Sequence, residues 1–239
     1  MLDVAVYILQ NESIDLNCRN LSYLGSPFHD FWSRCGDHQI HPEDQPFFSF
    51  DKKRGIGQQL SCDFETDDYG PWPFDGALDE AKVVVCYANA LFNDADKKHK
   101  ELIRAQRSGN EDLPSPWDWY YQSRIATPMN VNIASLRRVV SIFNVCPYPS
   151  NRMLDKSIRF AAGLPSVWAA QKHLREVLIP KAQSGEIFLV FARKHQLWGV
   201  VEGFECPTIA FSRNIGGYLG PVLGGAIQDW LEGGSKWKS

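Results

Sequence analysis

The chain has 239 residues, 44% hydrophobic and 13% aromatic, which excludes a disordered chain and fits one elaborated domain with a large core. Its net charge of −3 and pI near 6.1 give no global basic footprint, so any contact with nucleic acid must use a local patch. No run approaches the ~18 apolar residues of a membrane span and no basic segment leads into an apolar one at the start, so the expectation is a cytoplasmic protein without membrane contact.

Met1 to Gln10 opens the chain with an apolar run of open type. Ser26 followed by Pro27 predicts a capped helix start, with Phe28, Phe31 and Trp32 on one face. Cys35, His38 and His41 have spacings that touch on zinc, but no second Cys or His pair completes a site, so a core cysteine in a loop is the expectation and no metal is assigned. The cysteines at 18, 35, 62, 86, 146 and 206 are scattered, which fits reduced core thiols better than a disulfide framework. Phe47 to Phe50 and Gln58 to Phe64 flank a basic tip, Asp51 to Gly57, and predict a hairpin whose tip is either a solvated turn or a phosphate contact. Residues 65 to 79 are acidic and rich in glycine and proline, marking a boundary near residue 70.

Lys82 to Ala88 (KVVVCYA) is apolar without alternation, as in a parallel strand covered on both faces. Asn89 to Phe92 then sits at its carboxyl end, where open α/β sheets place ligands. A capped helix follows over about 94 to 107; Asp94 and Asp96 in its first turn read as dipole complements rather than a catalytic pair. Trp117 to Tyr121 is an aromatic cluster suited to packing between layers or, less often, to stacking bases. Val131 to Arg138 predicts a short helix, residues 138 to 145 a second strand, 153 to 164 and 166 to 181 helices, 185 to 192 a third strand, 207 to 212 a fourth, and 221 to 231 a last helix. Strand and helix alternate, so the fold class is α/β: a three-layer α/β/α sandwich with a four-stranded, mainly parallel central sheet and an N-terminal elaboration. The expected divisions are 1–70 for that elaboration, 71–232 for the α/β domain and 233–239 for a frayed tail.

PFDGALDEAKVVVCYANALF, VVSIFNVCPYPS, GEIFLVFARKHQLWG and PTIAFSRNIGG follow, in order and spacing, the four core strands of the uracil-DNA glycosylase superfamily. The chain resembles that superfamily over roughly residues 70 to 232, most closely its divergent branches. The resemblance implies an N-glycosidase that hydrolyses the bond between sugar and a flipped base in DNA, single- or double-stranded, without metal or cofactor. On this likeness Asn89 positions the attacking water. Ala90 and Leu91 stand where the family has Pro and Gly, which fixed the loop and admitted backbone to the ligand. Phe92 resembles the aromatic that stacks on the base, and Asn144 the amide that reads its edge.

The closing motif falls on Ser212, Arg213, Asn214, Gly216 and Gly217 without a histidine. Asn214, Arg213 or backbone amides would then stabilise the leaving base, and Ser212 and Gly217 would bring backbone close to phosphate. Tyr218 or Leu219 stands in the place of a wedge, with burial in the core as the alternative. Tyr148 and Ser150 resemble a Pro-Tyr-His-Ser motif in which Pro149 replaces the histidine. The implied catalytic residues are therefore Asn89 and Asn214. The implied substrate contacts are Phe92, Asn144, Tyr148, Ser150, Ser212, Arg213 and Gly216. Arg193, Lys194, Arg213 and Lys52 to Arg54 supply the cations for a groove that tracks the backbone. The alternative is a glycosylase-fold protein that has lost its chemistry and binds nucleic acid, a nucleotide or a protein partner. No nucleophile elbow, P-loop or dinucleotide fingerprint supports a different enzyme class.

Overall fold

The apolar run after Lys82 forms the centre of the sheet. In the computed structural model, residues 26–55, 57–67, 70–90, 100–107, 121–136, 139–201, 206–214 and 216–233 are described. Five strands make one sheet: β1 (Phe74–Asp75), β2 (Val83–Asn89), β3 (Val140–Cys146), β4 (Phe188–Phe191) and β5 (Ile209–Phe211), in spatial order β1-β3-β2-β4-β5. The last four are mutually parallel; β1 runs antiparallel to β3, with Phe74 opposite Phe143 and Asp75 opposite Ile142. The chain is thus mixed α/β, and among the described residues its one sheet is mostly parallel with five strands rather than four.

Strands β2, β3 and β4 are buried along almost their whole length, as expected of parallel strands covered on both faces, while in the edge strand β5 only Ile209 is buried. Val84, Cys86, Phe143, Val145, Leu189 and Phe191 enter one hydrophobic cluster, which also holds Phe28, Trp32, Phe48, Val167 and Leu174. Their neighbours Val83, Val85, Tyr87, Ile142, Phe188 and Val190 enter a second cluster, with Tyr121, Ile125, Met129, Leu136 and Ile227. Side chains alternate across a strand, so one unbroken apolar run feeds both clusters. Each such side chain contributes about 1.5–3 kcal/mol by leaving water.

Helix α1 (Pro27–Ser33) begins as its sequence predicts: Ser26 Oγ accepts from Phe28 N at 3.3 Å, and Phe28, Phe31 and Trp32 are buried. The predicted hairpin is absent. Phe47 to Phe50 lie in helix α2 (Gln45–Lys52); of these phenylalanines Phe48 is buried, while Phe47 and Phe50 are exposed. Pro46 favours the first helical turn, and the Asp51 carboxylate holds the returning chain by accepting from Leu60 N and Ser61 N at 2.9 and 2.8 Å. Arg54 pairs with Asp51 at 3.0 Å and lies over the Phe50 ring, so this basic tip is engaged locally. Helix α3 (Lys100–Arg107) is the described part of the helix predicted after β2, and the helix predicted over 131–138 is described at Ile133–Leu136. The helix Pro165–His173 continues through a π-helical stretch, Leu174–Leu178, into Ile179–Gln183, and the last helix spans Pro221–Leu231. Among the described residues no helix is long and apolar enough to cross a membrane.

The cysteine and histidine near the start belong to packing. Cys35 is buried and His41 stacks on Phe31 at 3.9 Å. One His41 ring nitrogen meets Phe31 O at 2.9 Å and the other accepts from Glu43 N at 3.2 Å, which leaves no lone pair for a metal. Cys35, Cys62, Cys86, Cys146 and Cys206 are unpaired.

His173 gives the fold a pH dependence. It is 4% exposed, stacked on Phe28 at 4.8 Å, and burial lowers its pKa from 6.5 to about 4 against the opposing pull of Asp79; His29 and Lys181 are the cations near it. The unfolded chain therefore binds the proton more readily, so stability present above pH 6.5 is lost as pH falls toward 4. Between pH 7 and 4.5 this group should cost about 2–3 kcal/mol, read from urea unfolding at the two pH values. His173→Phe should flatten that difference; an unchanged slope would assign it to other groups.

Candidate nucleobase cleft

Asn89 marks the site because of where its strand ends. Among the four parallel strands the spatial order is second, first, third, fourth, so the chain changes direction between β2 and β4, and ligands of doubly wound sheets bind outside the carboxyl ends at such a switch. A cleft of about 270 Å³ opens there. Tyr87 to Ala90 come from the end of β2, Asn144 and Ser150 to Met153 from β3 and its exit, and Arg193 and Lys194 from the exit of β4. Trp72 and Asp75, Arg124 and Gly216 complete the walls. That volume lies just below the usual range for small-molecule sites.

Asn89 and Asn144 both line this cleft, and each uses its amide nitrogen on the protein. Asn89 Nδ2 donates to Ser150 Oγ at 2.8 Å and to Ala90 O at 2.9 Å, while Ser150 N donates to Ala90 O at 3.0 Å. These bonds stitch the exit of β2 to the exit of β3. Asn89 Oδ1 has no protein partner among the described residues. Asn144 lies inside β3, opposite Tyr87, rather than at the strand end. It is 3% exposed; its backbone N donates to Pro73 O at 2.8 Å and Nδ2 to Trp72 O at 3.0 Å. That bond uses one of the two Nδ2 hydrogens, so the amide keeps both a donor and an acceptor.

The loop between β5 and the last helix folds over the cleft and is held by its own polar groups. Ser212 Oγ donates to Tyr218 O at 2.5 Å and Asn214 Nδ2 to the same carbonyl at 3.2 Å. Ser212 and Asn214 hold the loop and do not line the cleft; Arg213 is exposed and outside it, while Gly216 lines it. Tyr87 Oη donates to Gly217 O at 2.7 Å. Gly217 has φ +78°, and a Cβ there would lie 2.6 Å from the Tyr87 ring, so this contact requires glycine. Arg124 donates to Gly216 O and lies over the Tyr218 ring at 4.0 Å. Of the two wedge candidates, Leu219 is buried and Tyr218 is 40% exposed.

Tyr148 turns away from the cleft. It is fully buried, donates to Asp44 Oδ2 at 2.6 Å and accepts from His41 N at 3.2 Å. A proline on either side sends the chain from β3 toward the N-terminal helices, so the tyrosine is structural. Ser150, two residues on, reaches the cleft and Asn89. Phe92, Trp117 to Tyr120, Asp94 and Asp96 lie outside the described residues.

The rim is cationic, with Arg124, Arg152, Arg193 and Lys194 lining it; Lys52 to Arg54 do not. Lys194 has a left-handed backbone, φ +49°, an uncommon and costly state for a side-chain-bearing residue that tends to occur at functional sites. Arg124, Arg152, Trp72 and Asp75 had no signal in the sequence pattern. Asp75 is 3% exposed and is the one carboxylate among the described residues that line this cleft. Burial, and then the nearby Asp75 charge, push the Tyr121 hydroxyl well above its usual pKa and keep it protonated. Among the described residues no three His, Cys, Asp or Glu side chains gather as a metal set. No protein-family model matches the chain, and no curated protein or solved structure matches it at a significant level.

Proposed function

We propose that the cleft binds a nucleobase and that the protein is a DNA glycosylase-like N-glycosidase, built as a three-layer α/β/α sandwich. The observation that carries this reading is the pairing of Asn89 and Asn144 in one cleft at the switch point, beneath a cationic rim. Asn89 Oδ1 accepts a hydrogen bond from a water and orients it toward the anomeric carbon. The water oxygen bonds to that carbon, the carbon–nitrogen bond breaks, and its electron pair leaves with the base. The water proton passes to solvent or to the departing base, since an amide cannot keep it. Arg124 and Gly216 stand on the cleft wall where Asn214 was expected, and a guanidinium there favours a base leaving with negative charge. Arg152, Arg193 and Lys194 suit the phosphates of a DNA partner.

A second reading, a degenerate glycosylase fold that binds nucleic acid, a nucleotide or a protein without chemistry, is favoured by Asn214, whose side chain is used inside its own loop. One experiment separates the two. Oligonucleotides carrying uracil, deaminated purines, ring-modified purines or modified pyrimidines are incubated with the protein, and base release is read as alkali-sensitive abasic sites. Release supports the glycosidase; tight binding with every substrate intact supports the second reading. Neutralising three phosphates should weaken oligonucleotide binding about 20- to 40-fold between 50 and 200 mM salt. Salt-independent binding, or none, removes DNA as a partner.

A further inference from the structure

We propose that Cys62 and Lys156 are a peroxide-sensitive modification site, at which oxidation joins Cys62 Sγ to Lys156 Nζ through one oxygen atom and thiols undo the link. This inference is independent of what the cleft binds. Lys156 Nζ donates to Cys62 Sγ at 2.7 Å, between residues 94 apart in the sequence. That is the spacing of an N–H···O bond, about 2.7–3.2 Å, although sulfur is the larger atom, so one oxygen can bridge the pair with the backbone where it stands. Among the described residues Cys62 is the one exposed cysteine; Cys35, Cys86 and Cys146 are buried. It lines a cavity of about 280 Å³ with Asp63, Phe64, Glu65, Asn151 and Arg152, which admits a small neutral oxidant to the sulfur.

The thiolate is the form that attacks peroxide, and a lysine ammonium beside it favours that form. The hydrogen bond to Cys62 is the largest of the causes that raise the Lys156 pKa, so the side chain stands there as an ammonium. Asp63 opposes it weakly: one carboxylate oxygen lies 3.9 Å from the sulfur, and the other accepts from Ser157 Oγ at 2.5 Å. The sulfur bonds to one peroxide oxygen, the O–O bond breaks, and Lys156 gives its proton to the departing hydroxide. A sulfenic acid, water and a neutral amine result. A second peroxide takes two electrons; the sulfenic oxygen and the amine each lose a hydrogen, the O–N bond forms, and two waters leave. In sum a thiol, an amine and two peroxides give the bridge and three waters. Two molecules of dithiothreitol return the thiol, the amine and one water.

The link would fix one wall of the cleft. Lys156 lies in the helix Asp155–Ala161, and Asn151 and Arg152, just before it, line both the cavity of Cys62 and the cleft. Glu65 N already donates to Pro149 O at 2.8 Å, so a bond from Cys62 to Lys156 closes a ring around residues 149–156.

The test treats the full chain with hydrogen peroxide, quenches it with catalase and weighs the tryptic peptides. The Cys62 and Lys156 peptides should appear linked, one oxygen heavier and two hydrogens lighter than their sum, and should separate after dithiothreitol. Hydrogen exchange over residues 60–66 and 149–157 should slow in the oxidised protein. Lys156→Met should abolish the link, leave a sulfenic acid at Cys62 that dimedone traps, and slow the reaction of the thiol with peroxide about tenfold. Both side chains lie at the surface, and Cys62→Ser, with far-UV dichroism confirming the fold, should also show no link. Cys62 oxidised while trypsin still cleaves after Lys156, a linked pair without the added oxygen, or an unchanged rate in Lys156→Met would overturn the proposal.

Discussion

Replacing Asn89 by alanine should lower base release by about 10²–10³-fold while oligonucleotide affinity stays within about threefold. The magnitude is that of removing one preorganised polar group from a reacting centre, and the split arises because orienting a water helps the transition state more than bound substrate. The structure complicates the simple version of this test. Asn89 Nδ2 also ties the exit of β2 to Ser150 Oγ at 2.8 Å, so alanine loosens a loop as well as removing an acceptor. Ser150→Ala separates the two roles, because it removes the Oγ partner and leaves Asn89 Oδ1 in the cleft. Single-turnover base release should fall at least tenfold less in Ser150→Ala than in Asn89→Ala, with KM unchanged in the latter. If the two variants lose the same amount, Asn89 holds the loop and does not act on the water.

How far the sequence announced this site depends on how far each residue's surroundings are local. Four strands were legible because Val83 to Ala88 and its counterparts are apolar on successive residues, a pattern that only burial on both faces explains. Their ends shifted by up to three residues. The fifth strand was not legible: two residues carry no periodicity, and Phe74–Asp75 is a strand only because Trp72 and Pro73 are bonded to β3. That missed strand hid Asp75, the acid of the cleft. Asn89 was found because strand ends at a switch point face ligands, and Asn144 because it lies just below one. The same rule overreached at Tyr148 and Asn214, since a polar group leaving a strand can equally satisfy a buried carboxylate or close its own loop. Phe47 to Phe50 looked like a strand because it and Gln58 to Phe64 flank a short basic, glycine-containing tip. What made it a helix was Pro46 and the distant partners of Asp51. Arg124 and Arg152 come from segments whose position over the sheet no short-range pattern records.

The largest loss of stability should follow Asp44→Ala, about 3–5 kcal/mol, the usual cost of removing one partner from a buried charged network. Asp44 is fully buried and joins three distant parts of the chain. Its Oδ2 accepts from Tyr148 Oη at 2.6 Å and its Oδ1 from Ser166 N at 3.0 Å, and Tyr148 Oη in turn accepts from His41 N at 3.2 Å. Ser166 lies in the first turn of the helix Pro165–His173, so its N–H is one that the helix itself cannot satisfy, and a carboxylate there also suits the helix dipole. Alanine would strand a tyrosine hydroxyl and a helix N–H together, each costing about 1–3 kcal/mol when unpaired. Tyr148→Phe removes the bonds to Asp44 and from His41 N but keeps the Ser166 N bond and the carboxylate, and should cost less than Asp44→Ala. Burial raises the Asp44 pKa above its ordinary 3.8, against the pull of Ser166 and Tyr148, so the folded state holds that proton more firmly than the unfolded chain. Its contribution is therefore full below pH 3.8 and declines as pH climbs through the folded value, which makes the Asp44→Ala deficit larger in acid than at pH 7. Urea midpoints at unchanged m-value, for both variants at two pH values, measure the effect. A deficit below 1 kcal/mol at both would mean that Tyr148 and Ser166 find other partners and that Asp44 does not join the N-terminal helices to the sheet.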